Sequence, residues 1–103
     1  MTIQYISVHI DPELLPKQAL CIFCNVPMDN IFLEYEFQDG ANVIINDEPV
    51  PGYHCPTPTC GGNYYDGFVT LALSKAILPL LPSGSEVAGA LKQSITAIEK
   101  SLR

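Results

Sequence analysis

The residues of this 103-residue chain whose types and spacing can do chemistry are its four cysteines. They fall in two close pairs, Cys21-Ile22-Phe23-Cys24 and Cys55-Pro56-Thr57-Pro58-Thr59-Cys60, with the thirty residues Asn25 to His54 between them. Two short-spaced thiol pairs split by a long insert form the donor set of a tetrahedral four-thiolate zinc site, in which each pair sits on a tight turn and the ion clamps the two turns together. A thiolate binds zinc at about 2.3 Å, so the sulfurs of a pair must converge on one side of the backbone, and CxxC spacing allows that. The neighbouring residues agree. Asn25 follows the first pair, and Gly61, with Gly62 behind it, follows the second. A turn of this kind calls for positive φ at that position, which Gly and then Asn tolerate best. The sequence therefore predicts one structural zinc ion held by Cys21, Cys24, Cys55 and Cys60.

The same cysteines admit other chemistry. They could be unmetallated or joined as a disulfide, which a reducing compartment disfavours. They could hold iron as rubredoxin does, but the first pair lacks the usual glycine and the second has the wrong spacing. Cys21 and Cys24 could be redox-active, but that chemistry belongs to a strand-to-helix junction and here the motif precedes a strand. His54, beside Cys55, is a candidate replacement ligand; a neighbour that hydrogen-bonds or faces solvent is the preferred reading. Tyr53, Tyr64 and Tyr65 are candidate partner-binding residues, because aromatics are favoured at interface centres, and equally candidates for packing over the second knuckle. Glu34 and Glu36 share one face of a strand and read as a solvated face, since nothing gives them a pocket. With no nucleophile–base arrangement, phosphate loop or HExxH motif, the expectation is a non-enzymatic protein.

The elements that must position the thiols follow from patterning. Residues 2–10 alternate β-branched with polar or smaller residues and predict a strand, with Gln4, Ile6, Val8 and Ile10 on one face and Ile3, Tyr5, Ser7 and His9 on the other. Asp11-Pro12 ends it, and residues 13–19 predict a loop or one helical turn. Residues 30–37 predict a single strand with Ile31, Leu33, Tyr35 and Phe37 on its inner face. Asp39-Gly40 signals a hairpin, residues 41–46 the returning strand, and residues 50–54 a short strand that Pro51 confines to an edge or to its first residues. The insert thus reads as a small antiparallel sheet. Residues 61–67 read as a loop. An almost continuously apolar helix follows at about 68–78, capped by Asp66 and stopped by Pro79 and Pro82. A last helix, about 85–102, is capped by Ser83 or Ser85 and carries one apolar stripe of Val87, Leu91, Ile95, Ile98 and Leu102. That stripe can pack on the domain or pair two copies as a homodimer.

The fold class expected is α+β: a zinc-ribbon-like antiparallel sheet of three or four strands, with one or two C-terminal helices packed on it. One domain spans residues 1–103, with its metal-and-sheet core at about 20–67. No apolar run approaches the roughly 20 residues of a membrane span, and the N-terminus lacks the basic start and apolar run of a secretory signal, so the expected compartment is the cytoplasm. The formal charge of −6 is uneven. Residues 1–67 hold nine acidic side chains and one basic, Lys17, whereas residues 68–103 carry a small positive excess. Zinc with four thiolates adds a further negative charge to the metal half. Such a surface repels phosphate backbones, so nucleic-acid binding is not expected, and a basic protein partner is electrostatically favoured.

The run Val50-Pro51-Gly52-Tyr53-His54-Cys55, then Cys60-Gly61-Gly62-Asn63-Tyr64-Tyr65-Asp66 and the apolar helix, resembles the YgiT-type zinc-finger domains of MqsA-type antitoxins and YokU-like proteins. The resemblance covers roughly residues 20–78. It lies in motif order: a CxxC, a small sheet, a Val-Pro segment before the second cysteine pair, then glycine, an aromatic pair and a helix. It implies a small sheet backed by a helix, structural zinc on the four cysteines and, as in antitoxin members, binding to a toxin protein. Two features depart from that pattern. The second pair is CxxxxC where the family has CxxC, which implies that its turn bulges outward. The antitoxins' DNA-binding helix-turn-helix domain is absent from this sequence, which removes the ground for transcriptional repression. The sequence reading is therefore a structural zinc module for protein interaction or regulation, with a stand-alone metal or redox protein as the alternative.

Overall fold

A computed structural model of the chain describes residues 2–82 and 84–101. Over these residues it is an α+β fold with two three-stranded sheets and two α-helices. Strand β1 covers Thr2–Ile6, β2 Asp29–Leu33, β3 Glu36–Asp39, β4 Asn42–Asn46, β5 Val50–His54 and β6 Asn63–Tyr64; helix α1 covers Gly67–Ile77 and α2 Glu86–Ser101. One sheet has the order β1-β4-β3 and the other β2-β5-β6.

The insert between the cysteine pairs thus contributes to both sheets instead of forming one. The single strand expected over residues 30–37 is broken at Glu34-Tyr35. Its first part, β2, pairs antiparallel with β5, and its second part, β3, pairs antiparallel with β4. The break has a cause in the bonds around it. The Tyr35 carbonyl accepts from the Asn46 N–H (3.1 Å), the Glu34 carbonyl accepts from the Tyr65 hydroxyl (3.3 Å), and the Tyr35 ring meets the Tyr65 ring edge-on at 5.8 Å. The inner face survives the break: Ile31, Leu33, Tyr35 and Phe37 stay partly buried while Phe32, Glu34 and Glu36 are exposed.

The hairpin at Asp39 forms as expected. Its turn is Gly40-Ala41, and Gly40 has a φ of 59°, the left-handed value that a type II′ turn requires at its first central residue. β1 is shorter than its pattern, yet the alternation holds beyond it, with Ile6 and Ile10 buried and Ile3, Tyr5, Ser7 and His9 exposed. β1 pairs parallel with β4, Thr2 opposite Asn42 through Ile6 opposite Asn46, so that sheet is not purely antiparallel. The chain after β1 is then held by the buried Asn46. Its amide accepts from the Val8 N–H (2.7 Å) and donates to the carbonyls of Val8 (3.0 Å) and Glu48 (2.7 Å), continuing the pairing with a side chain in place of a strand.

β5 is the central strand of its sheet, despite Pro51. β6 faces only Tyr53 and His54, so Pro51 lies where β5 has one strand neighbour and no second ladder asks for its missing N–H. The core lies between the sheets and the helices, with Ile44, Val50, Val69, Leu73 and Ile77 at most 1% exposed. Burial of each such side chain contributes about 1.5–3 kcal/mol. Asp66 caps α1 by accepting from the Phe68 N–H (2.9 Å), as expected. Ser85 caps α2, accepting from the Ala88 N–H (3.1 Å); Ser83 and Leu102, also named for this helix, lie outside the described residues. The apolar stripe of α2 is turned inward: Ile95 and Ala88 are buried, Val87, Leu91 and Ile98 partly so, and Lys75 on α1 pairs with Glu99 at 3.5 Å. Among the described residues no helix is long and apolar enough to cross a membrane.

Candidate metal centre

Each cysteine pair sits on its own small hairpin. In the first, Leu20 bridges Pro27, the Cys21 N–H bonds the Val26 carbonyl (3.0 Å) and the Asn25 N–H bonds the Cys21 carbonyl (2.8 Å). Asn25 has a φ of 56°, the left-handed value that its position called for. In the second, the Cys55 N–H bonds the Gly62 carbonyl (2.9 Å) just past the end of β5, and Gly61 takes a φ of 59°.

The two extra residues of the second pair are absorbed in a specific way. The Gly61 N–H bonds the carbonyl of Thr57 (3.0 Å), not that of Cys55. Thr57 to Gly61 therefore repeats the turn Cys21 to Asn25, with a threonine where the first knuckle has its first cysteine. Cys55 donates its sulfur from two residues upstream, at the base of the hairpin. Sequence reasoning missed this role for Thr57; aligning Thr57-Pro58-Thr59-Cys60-Gly61 on Cys21-Ile22-Phe23-Cys24-Asn25 is the signal that finds it.

The sulfurs of Cys21, Cys24, Cys55 and Cys60 all lie within 4.8 Å of one another, with Cys21 and Cys60 at 3.9 Å. A tetrahedron with metal–sulfur bonds of about 2.3 Å has edges of about 3.8 Å, so this spacing fits one ion at the centre. It is far beyond the roughly 2.05 Å of a sulfur–sulfur bond, and all four thiols are free. Cys21 and Cys55 are buried, Cys24 and Cys60 partly so. The donor set is compatible with a structural metal site and does not by itself select the metal.

The electrostatics of the cluster favour a cation. The Cys21 thiol is lowered to about 6, chiefly by the backbone N–H of Cys24, with Phe23 N–H and the neighbouring thiols helping against burial. These are the inward-turned N–H groups expected of a metal knuckle. Cys24 is pushed up to about 12, first by burial and then by the other thiols, against a hydrogen bond from Thr57 that lowers it. Ionising one sulfur thus raises the cost of ionising the next, and a divalent cation relieves that conflict.

His54 is not one of the converging donors. Its Nδ1 lies 2.8 Å from Asn63 Oδ1, across the β5–β6 pair. The three candidate tyrosines differ in their surroundings. Tyr53 is 5% exposed with its hydroxyl on the Pro16 carbonyl (2.8 Å), so it faces inward and is not open to a partner. Tyr65 packs on Tyr35. Tyr64 lies over the sulfurs, with its hydroxyl 3.8 Å from Cys60 Sγ and 4.0 Å from Cys21 Sγ; those thiols raise its own pKa, so it stays protonated. Glu34 and Glu36 are exposed on separate segments. No protein-family model, no curated protein and no solved structure matches this chain.

Proposed function

We propose that the chain is a non-enzymatic zinc-binding module whose four-cysteine site is structural and whose work is to bind a protein partner. The observation that carries the zinc reading is the convergence of four free sulfurs, from two hairpins thirty residues apart, at tetrahedral spacing. A closed set of four protein ligands leaves no open coordination position for substrate, which favours a structural role over catalysis. Free thiols suit a reducing compartment such as the cytoplasm.

Two features support a protein partner. The first knuckle presents Leu20, Ile22 and Phe23 at 53%, 82% and 76% exposure, three apolar side chains close together on one turn. The half of the chain around it is acidic, and its one base, Lys17, already pairs with Glu13 at 3.1 Å. A partner with an apolar recess rimmed by lysine or arginine fits both. A toxin-neutralising subunit, as the YgiT-type resemblance implies, is the specific form of this reading. Metal analysis and an absorption spectrum of the purified protein test the first step: one zinc per chain and no colour are expected, and visible iron or charge-transfer bands overturn it. Purification from the native host then tests the second, where one stoichiometric basic protein is expected and repeated recovery of the chain alone counts against it.

A further inference from the structure

A single side chain reaches both halves of the sulfur cluster. The Tyr64 hydroxyl stands 3.8 Å from Cys60 Sγ in the second knuckle and 4.0 Å from Cys21 Sγ in the first. Its placement is built in from two directions. Pairing of β6 with β5 sets Tyr64 opposite Tyr53, at the base of the hairpin that carries Cys55 and Cys60. Gly62 then leaves room for the ring: a Cβ there would meet the hydroxyl at 2.5 Å, Cζ at 2.8 Å and Cε2 at 2.9 Å, so any larger residue would move the phenol away.

We propose that Tyr64 is a positioning residue of the metal centre, its hydroxyl donating a hydrogen bond shared between the Cys21 and Cys60 thiolates and covering that side of the bound ion. The inference rests on the zinc reading and deepens it. A divalent ion with four thiolates keeps a net negative charge on sulfur. That charge exposes the site to protons and electrophiles, and a neutral O–H donor damps it without displacing a ligand. The backbone N–H groups of Cys24 and Phe23 already serve Cys21 from within its own turn. Tyr64 adds a donor from the opposite hairpin, so it also ties the two knuckles together through the sulfurs. Partners of this kind are worth about tenfold to a hundredfold in metal affinity.

Tyr64→Phe keeps the ring and removes only the hydroxyl, and Gly62→Ala keeps the hydroxyl and moves the ring. Both are compared with the unmodified chain after loading with Co2+ and with Zn2+. In Tyr64→Phe the sulfur-to-cobalt charge-transfer bands are expected to move to lower energy, as thiolates that lose a hydrogen bond become more electron-rich. Zinc should bind about tenfold to a hundredfold more weakly. The zinc-loaded thiols should be alkylated faster by iodoacetamide, and Gly62→Ala should shift the bands in the same direction. A residue that merely packs would lower the melting temperature and leave the bands in place. Unchanged bands and zinc affinity in Tyr64→Phe therefore overturn the proposal while leaving the zinc reading intact. Absence of a tetrahedral thiolate spectrum and of stoichiometric zinc in the unmodified chain overturns both.

Discussion

Stripping the ion should unfasten one end of this molecule and leave the other standing. At the helix end, Ile44, Val50, Val69, Leu73 and Ile77 are almost completely buried and owe nothing to sulfur. At the knuckle end, only Cys21 and Cys55 are buried among residues 20–28 and 55–64, and each turn is closed by a few backbone bonds. An ion on the four sulfurs would join Cys24 to Cys55 across the thirty residues Asn25 to His54. In the chain-entropy picture used for cross-links, closing a loop of that length is worth about 3.6 kcal/mol. For a domain near this size, where 1 kcal/mol corresponds to several degrees, loss of the ion should lower the melting temperature by roughly 15–30 °C. The assay is hydrogen exchange with and without a strong chelator, with metal content measured on the same samples. The N–H groups of Cys21, Asn25, Cys60 and Gly61 should lose protection first, while Leu73 and Ile77 keep theirs. A demonstrably metal-free protein that melts within a few degrees of the loaded one, with its knuckle amides still protected, would refute the reasoning, because the turns would then hold themselves.

Two further outcomes follow from specific side chains. Protons compete with the metal for sulfur, and Cys24, pushed up to about 12, must release its proton on binding. The zinc dissociation constant should therefore rise at least tenfold per pH unit of acidification, and at least a hundredfold per unit below about 6, where Cys21 is protonated as well. The lowered Cys21 value gives the sign: its stabilisation is full above the ordinary thiol value near 9, declines as pH falls from there, and is lost as pH passes below about 6. A chromophoric competitor titrated between about pH 5.5 and 8 measures this, and a pH-independent affinity contradicts it. Asn46→Ala removes an amide that serves Val8 twice and Glu48 once, at a site only 5% exposed. Urea unfolding should show a loss of about 2–4 kcal/mol, and a loss below about 0.5 kcal/mol would mean that water takes over those bonds.

What the sequence made legible is what local chemistry decides. The cysteine pairs, the left-handed positions at Asn25 and Gly61, the caps at Asp66 and Ser85 and the hairpin at Gly40 each depend on a few adjacent residues. The inward face of residues 31–37 was legible for the same reason, since alternation is a property of the segment itself. Which partner that face meets is not. An uninterrupted pattern of Ile31, Leu33, Tyr35 and Phe37 serves two strands in two sheets as well as it serves one, and the break is decided by Asn46 and Tyr65, far along the chain. The parallel pairing of β1 with β4 likewise leaves no trace in either strand alone.

The second knuckle shows the same division within six residues. Its turn is local, and Thr57 to Gly61 forms it as Cys21 to Asn25 does. Its first ligand is not set by the turn. Cys21 and Cys55 share a different property: each donates its N–H across the base of its hairpin, to Val26 and to Gly62. The sulfur position is therefore fixed by strand pairing at the hairpin base, and the turn beyond it can lengthen by two residues without moving the ligand. That is why CxxxxC brings its sulfurs to the same cluster as CxxC does here, and why a threonine rather than a sulfur occupies the place that turn geometry alone would have assigned to the second knuckle's first cysteine.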